Sequence, residues 1–204
     1  MMQYLRSKLA PQAPSKSLTT EQFEHVLGKV LQGWNENFEG KKLPFYVLET
    51  EFDDTGELRV FSTFGLSDYK LVAPGESHTV RQEFVVAVEG DSNCAWVPQA
   101  LQIVGHELLA SRQPILRGEV TPELMQFRDD RPFCCLYFSD PLFLDEEKWT
   151  FTSGPQPVYL SGAYPVSLLE ARYALEHGWR KFEQLLETSG INPWRLDRAE
   201  LCGN

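Results

Sequence analysis

Apolar residues at Phe23, Val26, Leu27, Val30, Leu31, Trp34 and Phe38 recur at helical spacing, so Leu18 to Gly40 predicts one amphipathic helix. Thr19 or Thr20 is placed to cap it, Gln22 can close a capping box with Thr19, and Gly40 ends it. Pro44–Glu51 and Leu58–Phe64 flank the turn-forming Asp53-Asp54-Thr55-Gly56 and predict a β-hairpin. Two-residue alternation returns within Ser77–Pro98. There Val80, Gln82, Phe84, Val86 and Val88 interleave with Arg81, Glu83, Val85, Ala87 and Glu89, and Gly90-Asp91-Ser92-Asn93 closes the strand. Pro98 suits the first turn of a second helix to about Ser111, with Leu101, Val104, Leu108 and Leu109 on its inner side.

Pro114–Glu123 reads as a loop or short strand, and Phe133–Phe138, apolar on both faces, as a central strand. Trp149–Thr152 and Pro157–Leu160 are short strand candidates. The last long segment, Ala163–Arg198, predicts a docked helix with a tail. Ser167 and Glu170 form a capping box, and Leu168, Ala171, Leu175, Trp179 or Gly178, Phe182 and Leu185 or Leu186 form one apolar face. Gly190 is a natural left-handed C-terminal residue, Pro193 prevents resumption, and Trp194 lies where the returning chain can cover the helix end. Met1–Ser17 lacks periodicity and reads as an arm, leaving 18–204 as a single domain. The element order predicts an α+β fold, a mixed, largely antiparallel sheet packed with about three helices.

Composition narrows the function classes. With 42 % hydrophobic and 24 % charged residues the chain is ordinary for a globular protein, and its formal net charge of −10 disfavours nucleic-acid phosphates and anionic membranes. That charge suits a basic protein partner, and equally suits a protein kept soluble by repulsion. Cys94, Cys134, Cys135 and Cys202 form no CxxC and no disulfide pattern, and Cys134-Cys135 sits in the apolar run FCCLYF. No apolar run reaches 18 residues, and the start MMQYLRSKLAPQAPSK has no apolar core of signal-peptide length. A reducing cytoplasm is the expected setting.

The search for chemistry yields near misses. His106-Glu107-Leu108-Leu109-Ala110 begins like HExxH, but Ala110 replaces the second imidazole that zinc needs one helical turn on. Gly65-Leu66-Ser67-Asp68-Tyr69 begins like GxSxG, but Tyr69 replaces the glycine that permits the tight elbow. His25, His78 and His177 are scattered singly. The carboxylate pairs Asp53-Asp54, Asp129-Asp130 and Glu146-Glu147 are adjacent in sequence, the spacing of solvated charge. There is no Walker-A loop and no GxGxxG, and no cofactor or metal is expected.

Two stretches together resemble the Suppressor of fused family. One is Phe61-Ser62-Thr63-Phe64-Gly65-Leu66-Ser67-Asp68-Tyr69 followed by Arg81-Gln82-Glu83-Phe84-Val85-Val86. The other is the final helix and tail, with its Pro165-Val166-Ser167 lead-in, Glu170, Gly178, Leu185-Leu186 and the ending Gly190-Ile191-Asn192-Pro193 to Asp197-Arg198. The resemblance implies the fold of that family's N-terminal type of domain and a binding protein, not an enzyme. Animal members resemble two-domain clamps on a peptide of a Gli-type transcription factor; stand-alone bacterial members look like immunity proteins that neutralise toxin domains. Masking a basic toxin would suit the acidic charge.

Ser67, Asp68, Arg81 and Glu83 are the candidate binding residues. Gly65 can take positive φ where the strand ends, Ser67 or Asp68 can hydrogen-bond the turned backbone, and Arg81 and Glu83 share a strand face where a charged pair with Asp68 or each other can form. A purely structural turn with an ion pair is the competing reading of the same four. Two other function classes stay open: a hydrolase with a site near Ser67, Asp68 and His78, and a structural subunit that completes a homodimer.

Overall fold

The computed structural model describes residues 17–37, 39–52, 56–89, 94–124, 133–154 and 156–202. The expected arm at 1–17 except Ser17, Phe38, the turn residues Asp53–Thr55, the Gly90–Asn93 stop and the pair Asp129-Asp130 lie outside the described residues.

The segment read as one long helix is two elements. Helix α1 spans only Thr20–Leu27, with the Thr19–Gln22 capping box in place. Gly28 then turns the chain at φ 83° into strand β1, Lys29–Glu36. A side chain at Gly28 would lie 2.0 Å from the Glu51 carbonyl oxygen, so the turn is where two backbones meet. Val30, Leu31 and Trp34 fit a helical stripe, but the β-branched and aromatic residues beyond Gly28 find pairing partners in the next strand, and tertiary pairing overrides the local period.

Strands β2 (Lys42–Glu51) and β3 (Leu58–Phe64) form the expected antiparallel hairpin, and β6 (Gln82–Glu89) is the expected third strand of the sequence pattern. Between them lie a 3-10 turn at Leu66–Asp68 and a small pair, β4 (Leu71–Val72) with β5 (Thr79–Val80). Helix α2 spans Val97–Ser111, and Leu101, Val104, Leu108 and Leu109 are buried as expected. Strand β7 is Phe133–Ser139, β8 is Thr150–Phe151, and β9 runs from Val158 to Ser167. Ala163–Val166, read as a helix approach, therefore continues the strand.

The Ser167–Glu170 capping box holds, but the final helix is broken at Gly178, φ 82°, into α3 (Leu168–His177) and α4 (Trp179–Ser189). Among the described residues the break brings the helices to four, close to the three or so expected. The break rotates the apolar face: Leu168 and Leu175 point to solvent, while Ala171, Ala174 and Phe182 are buried. Gly190 ends α4 in the left-handed conformation as expected.

The main sheet runs β1-β2-β3-β6-β9-β7, with β8 beside β9; among the described residues only the β6–β9 pair is parallel. The α+β expectation of a mixed, largely antiparallel sheet thus holds. β7 ends the ladder instead of lying at its centre. Its two faces are buried because Leu136 and Phe138 pack towards α2 while Cys135 and Tyr137 pack towards α3 and α4, and along its outer edge Gly118 donates to Phe138, Phe138 to Glu119 and Thr121 to Leu136.

Alternation along the strands supplies both faces of the sheet. Phe45, Val47, Phe61, Phe84, Val86 and Phe138 pack under α2. Val60, Val85, Ala87, Val158 and Leu160 pack with Phe23 and Leu27 of α1, while Tyr137, Tyr164 and Val166 pack with Ala171, Ala174 and Phe182 of α3 and α4. α4 is also tied down by charge. Glu183 accepts from Tyr137 (2.9 Å), Ser139 (2.7 Å) and Arg117 (2.5 Å), and Arg117 stacks over Trp179 at 4.4 Å.

Candidate functional site

The four residues singled out in the sequence do come together, at the exit of β3. Gly65 takes φ 102°, which lets the chain leave the strand and coil into the Leu66–Asp68 turn. The Glu83 carboxylate, reaching across from β6, accepts from the Thr63 hydroxyl (2.7 Å) and from the amides of Gly65 and Ser67 (2.9 Å each). Two residues earlier on the same strand, Arg81 donates to the backbone carbonyls of Ser67 (2.8 Å), Ser153 (2.5 Å) and Gln156 (3.3 Å). Arg81 and Glu83 thus grip the turn separately, one by its carbonyl and one by its amides.

Both are buried, as is Ser67; Asp68 alone of the four is partly exposed. Burial pushes the Glu83 carboxyl up, against the hydrogen bonds from Thr63 and the turn amides. Burial likewise lowers Arg81, against the attraction of Asp68 and Glu83. The buried Ser67 hydroxyl lies beside the Glu83 carboxylate, and His78 is exposed, with its Nδ1 3.3 Å from Glu76. Of the remaining chemistry, Cys135 is a buried thiol pushed up to about 12 by desolvation, the reverse of a reactive cysteine. Among the described residues no group of three or more His, Cys, Asp and Glu is placed to hold a metal.

A concave surface lies instead at the far margin of the sheet. β1 pairs with β2 on one side and, among the described residues, with no strand on the other. Its register with β2 shifts between Val30 and Gln32 and again between Trp34 and Glu36, so Leu31, 57 % exposed, sits in a bulge. Beside this edge is a cleft of about 400 Å³ between β1, β3 and the start of α2. Trp34 and Phe61 supply aromatic walls, with ring centroids 6.4 Å apart. Glu49 of β2 ties together two of the lining side chains, accepting from Gln32 (2.5 Å) and from Arg59 Nε and Nη2 (2.8 and 2.6 Å). Arg59 also lies over Phe61 at 5.3 Å, and Gln102 of α2 closes the rim by donating to the Glu36 carbonyl (2.9 Å). Burial opposes the Arg59 charge, but the Glu49 carboxylate more than compensates and raises its pKa.

Sequence periodicity hides this cleft, because the spacing of Trp34 fits the core face of a helix. One signal was present. In the predicted hairpin Glu51 faces Arg59, so Glu49 is the diagonal neighbour of Arg59 on the same sheet face. The described helices contain none long and apolar enough to cross a membrane.

Three comparisons bear on what this geometry is. A family model, Suppressor of fused protein (SUFU), matches residues 43–199. No curated protein sequence matches the chain. Among solved structures, a protein described as a SUFU homolog from Neisseria gonorrhoeae superposes with a TM-score of 0.67 at 14 % identity, covering 99 % of this chain and 97 % of that one. A chain of the Sufu–Fu complex gives 0.66 at 13 % identity, over 92 % of this chain and 93 % of that one. Drosophila Suppressor of Fused gives 0.57 at 13 % identity, over 78 % of this chain but only 43 % of its own longer chain. At such identities the superpositions speak for the fold, and the family model reaches from β2 to the tail behind α4. The chain belongs to the Suppressor of fused protein family.

Proposed function

We propose that this chain is a non-catalytic protein-binding domain that takes an extended segment of its partner along the outer edge of β1, with a side chain of that segment in the Trp34–Arg59 cleft. The observation that carries the reading is an edge strand, unpaired on its outer side among the described residues, lying directly beside a concave aromatic surface. Backbone groups on such an edge give affinity to any strand, and an adjacent cleft gives selectivity. That a structural neighbour is the Sufu–Fu complex supports a protein partner. In this reading Arg81, Glu83 and Ser67 act by fixing the turn that presents Asp68, and Asp68 is the member that reaches the partner.

The finer reading is an immunity protein of the bacterial cytoplasm, whose charge of −10 complements a basic toxin domain. The test is retention of the neighbouring reading frame's product on immobilised protein, comparing the native chain with Leu31→Pro and Trp34→Ala. Proline in the bulge removes an edge donor while sparing the β1–β2 register. Retention by the native chain and loss from both variants is the expected result. Equal retention by all three, repeated failure to retain any product, or a hydrolytic activity abolished by Ser67→Ala would each overturn the reading. Edge-to-edge pairing of two copies would appear instead as a dimer that Leu31→Pro dissociates.

A further inference from the structure

At the opposite margin of the sheet from β1, the chain leaves a second hollow. It lies between the middle of α2 and the 115–124 segment that runs beside β7, and its volume is about 170 Å³. Pockets for drug-sized ligands run to about 300–1,000 Å³, so this one has room for a single side chain. Ile103, Val104, Ile115, Val120 and Phe138 make it apolar. Glu107 and Glu119 stand at its rim, and no described lysine or arginine lines it.

The walls are held from behind. The buried Gln82 amide donates to the Ile115 carbonyl (2.8 Å) and accepts from the Ile115 amide (3.1 Å). Val120 bridges to Tyr137, and the Thr121 hydroxyl accepts from the Leu136 amide (2.9 Å). A hollow pinned on both sides cannot collapse to bury its own apolar lining, so an occupant meets a preorganised site. Two rim carboxylates, with His106 beside Glu107 (3.8 Å) and no lysine or arginine among the described lining residues, on a chain of net charge −10, select the flanks of that occupant.

We propose that this groove binds one aliphatic side chain carried on a basic protein segment, with lysine or arginine on either side of the anchor meeting Glu107 and Glu119. The site is distinct from the β1 edge and does not rest on the reading given for it. A partner that engaged both would span the sheet and gain from effective concentration.

The experiment uses a fluorescein-labelled peptide, Gly-Lys-Lys-Gly-Leu-Gly-Lys-Lys-Gly, titrated with the full chain and followed by anisotropy. Replacing its leucine by serine should weaken binding about tenfold or more, the transfer cost of one buried aliphatic group. Replacing its lysines by glutamate should abolish binding. The E107Q/E119Q double variant changes two exposed side chains without touching the core and should weaken binding about five- to tenfold. Leu31→Pro should leave it unchanged. Amide shifts in the full chain on peptide addition should fall on residues 103–107 and 115–124. Absence of binding, equal binding of the serine peptide, indifference to E107Q/E119Q, or shifts confined to β1 would each overturn the proposal.

Discussion

Gly28 carries two constraints at once. Its φ of 83° is one that side chains resist, and the Glu51 carbonyl occupies the place where a Cβ would stand. Alanine there must move one of two paired backbones, so Gly28→Ala should cost about 3 kcal/mol, at the severe end for a single methyl. Urea denaturation of the native chain and variant checks this, and a loss below about 1 kcal/mol would mean that the turn gives way freely. At this scale the sequence was readable wherever one side chain meets its own neighbourhood. Gly65 takes the positive φ expected of it, and the Thr19–Gln22 and Ser167–Glu170 boxes both close. What could not be read was the destination of long side chains. Arg81 and Glu83 share a face where the sequence suggests a charged pair with Asp68 or each other. Each is better satisfied by backbone groups of the turn, whose positions only the folded chain defines.

Among the elements, α4 depends most on a single titrating group. Burial alone would raise the Glu183 carboxyl, but the hydrogen bonds from Arg117, Ser139 and Tyr137 outweigh it and hold it below the usual carboxylate range. A carboxyl with a lowered folded-state pKa stabilises fully above its unfolded value of about 4.3 and loses that contribution as pH falls through the folded value. The native chain should therefore lose stability more steeply than Glu183→Gln on going from about pH 5 to about pH 3, although at pH 7 the variant is weaker by about 1–3 kcal/mol. Parallel denaturation profiles for the two proteins would remove this role from Glu183. The same helix shows why element boundaries escaped the sequence. Its apolar residues continue the period of α3, so the two read as one; only Gly178, with a backbone angle no other residue adopts easily, separates them. The tail is another case. Arg198 (4 % exposed) bridges back to Glu170 (0 %) at 2.6 Å and stacks on Phe133 at 4.3 Å, a clasp between residues far apart along the chain.

For the molecule as a whole, fold class was legible because class needs only the kinds of element present, and alternation and periodicity reveal those. Strand order was not legible, since nothing in the β9 stretch Val158–Ser167 names β6 and β7 as its two neighbours. Nor was the candidate surface, because a cleft is made of residues such as Trp34, Arg59 and Gln102 that only the sheet and α2 bring side by side. Charge, by contrast, acts over the entire surface. With a net charge of −10, association with a basic partner should slow about tenfold or more when ionic strength rises from about 0.02 M to about 0.2 M, measured by stopped-flow mixing. A rate indifferent to salt would point to a neutral partner.

The position of β9 has a consequence for the life of the chain during synthesis. Strands β6 and β7 emerge first and are separated by the gap that β9 will later fill, parallel to one and antiparallel to the other. Until Val158–Ser167 has left the ribosome, two of the most thoroughly buried strands of the folded molecule have raw facing edges that lack the strand between them. Such edges are templates for pairing with other chains. The hazard to this protein in the cell thus lies in translation stalled or cleavage made just upstream of residue 158, which releases a fragment containing most of the sheet and lacking the strand that closes it.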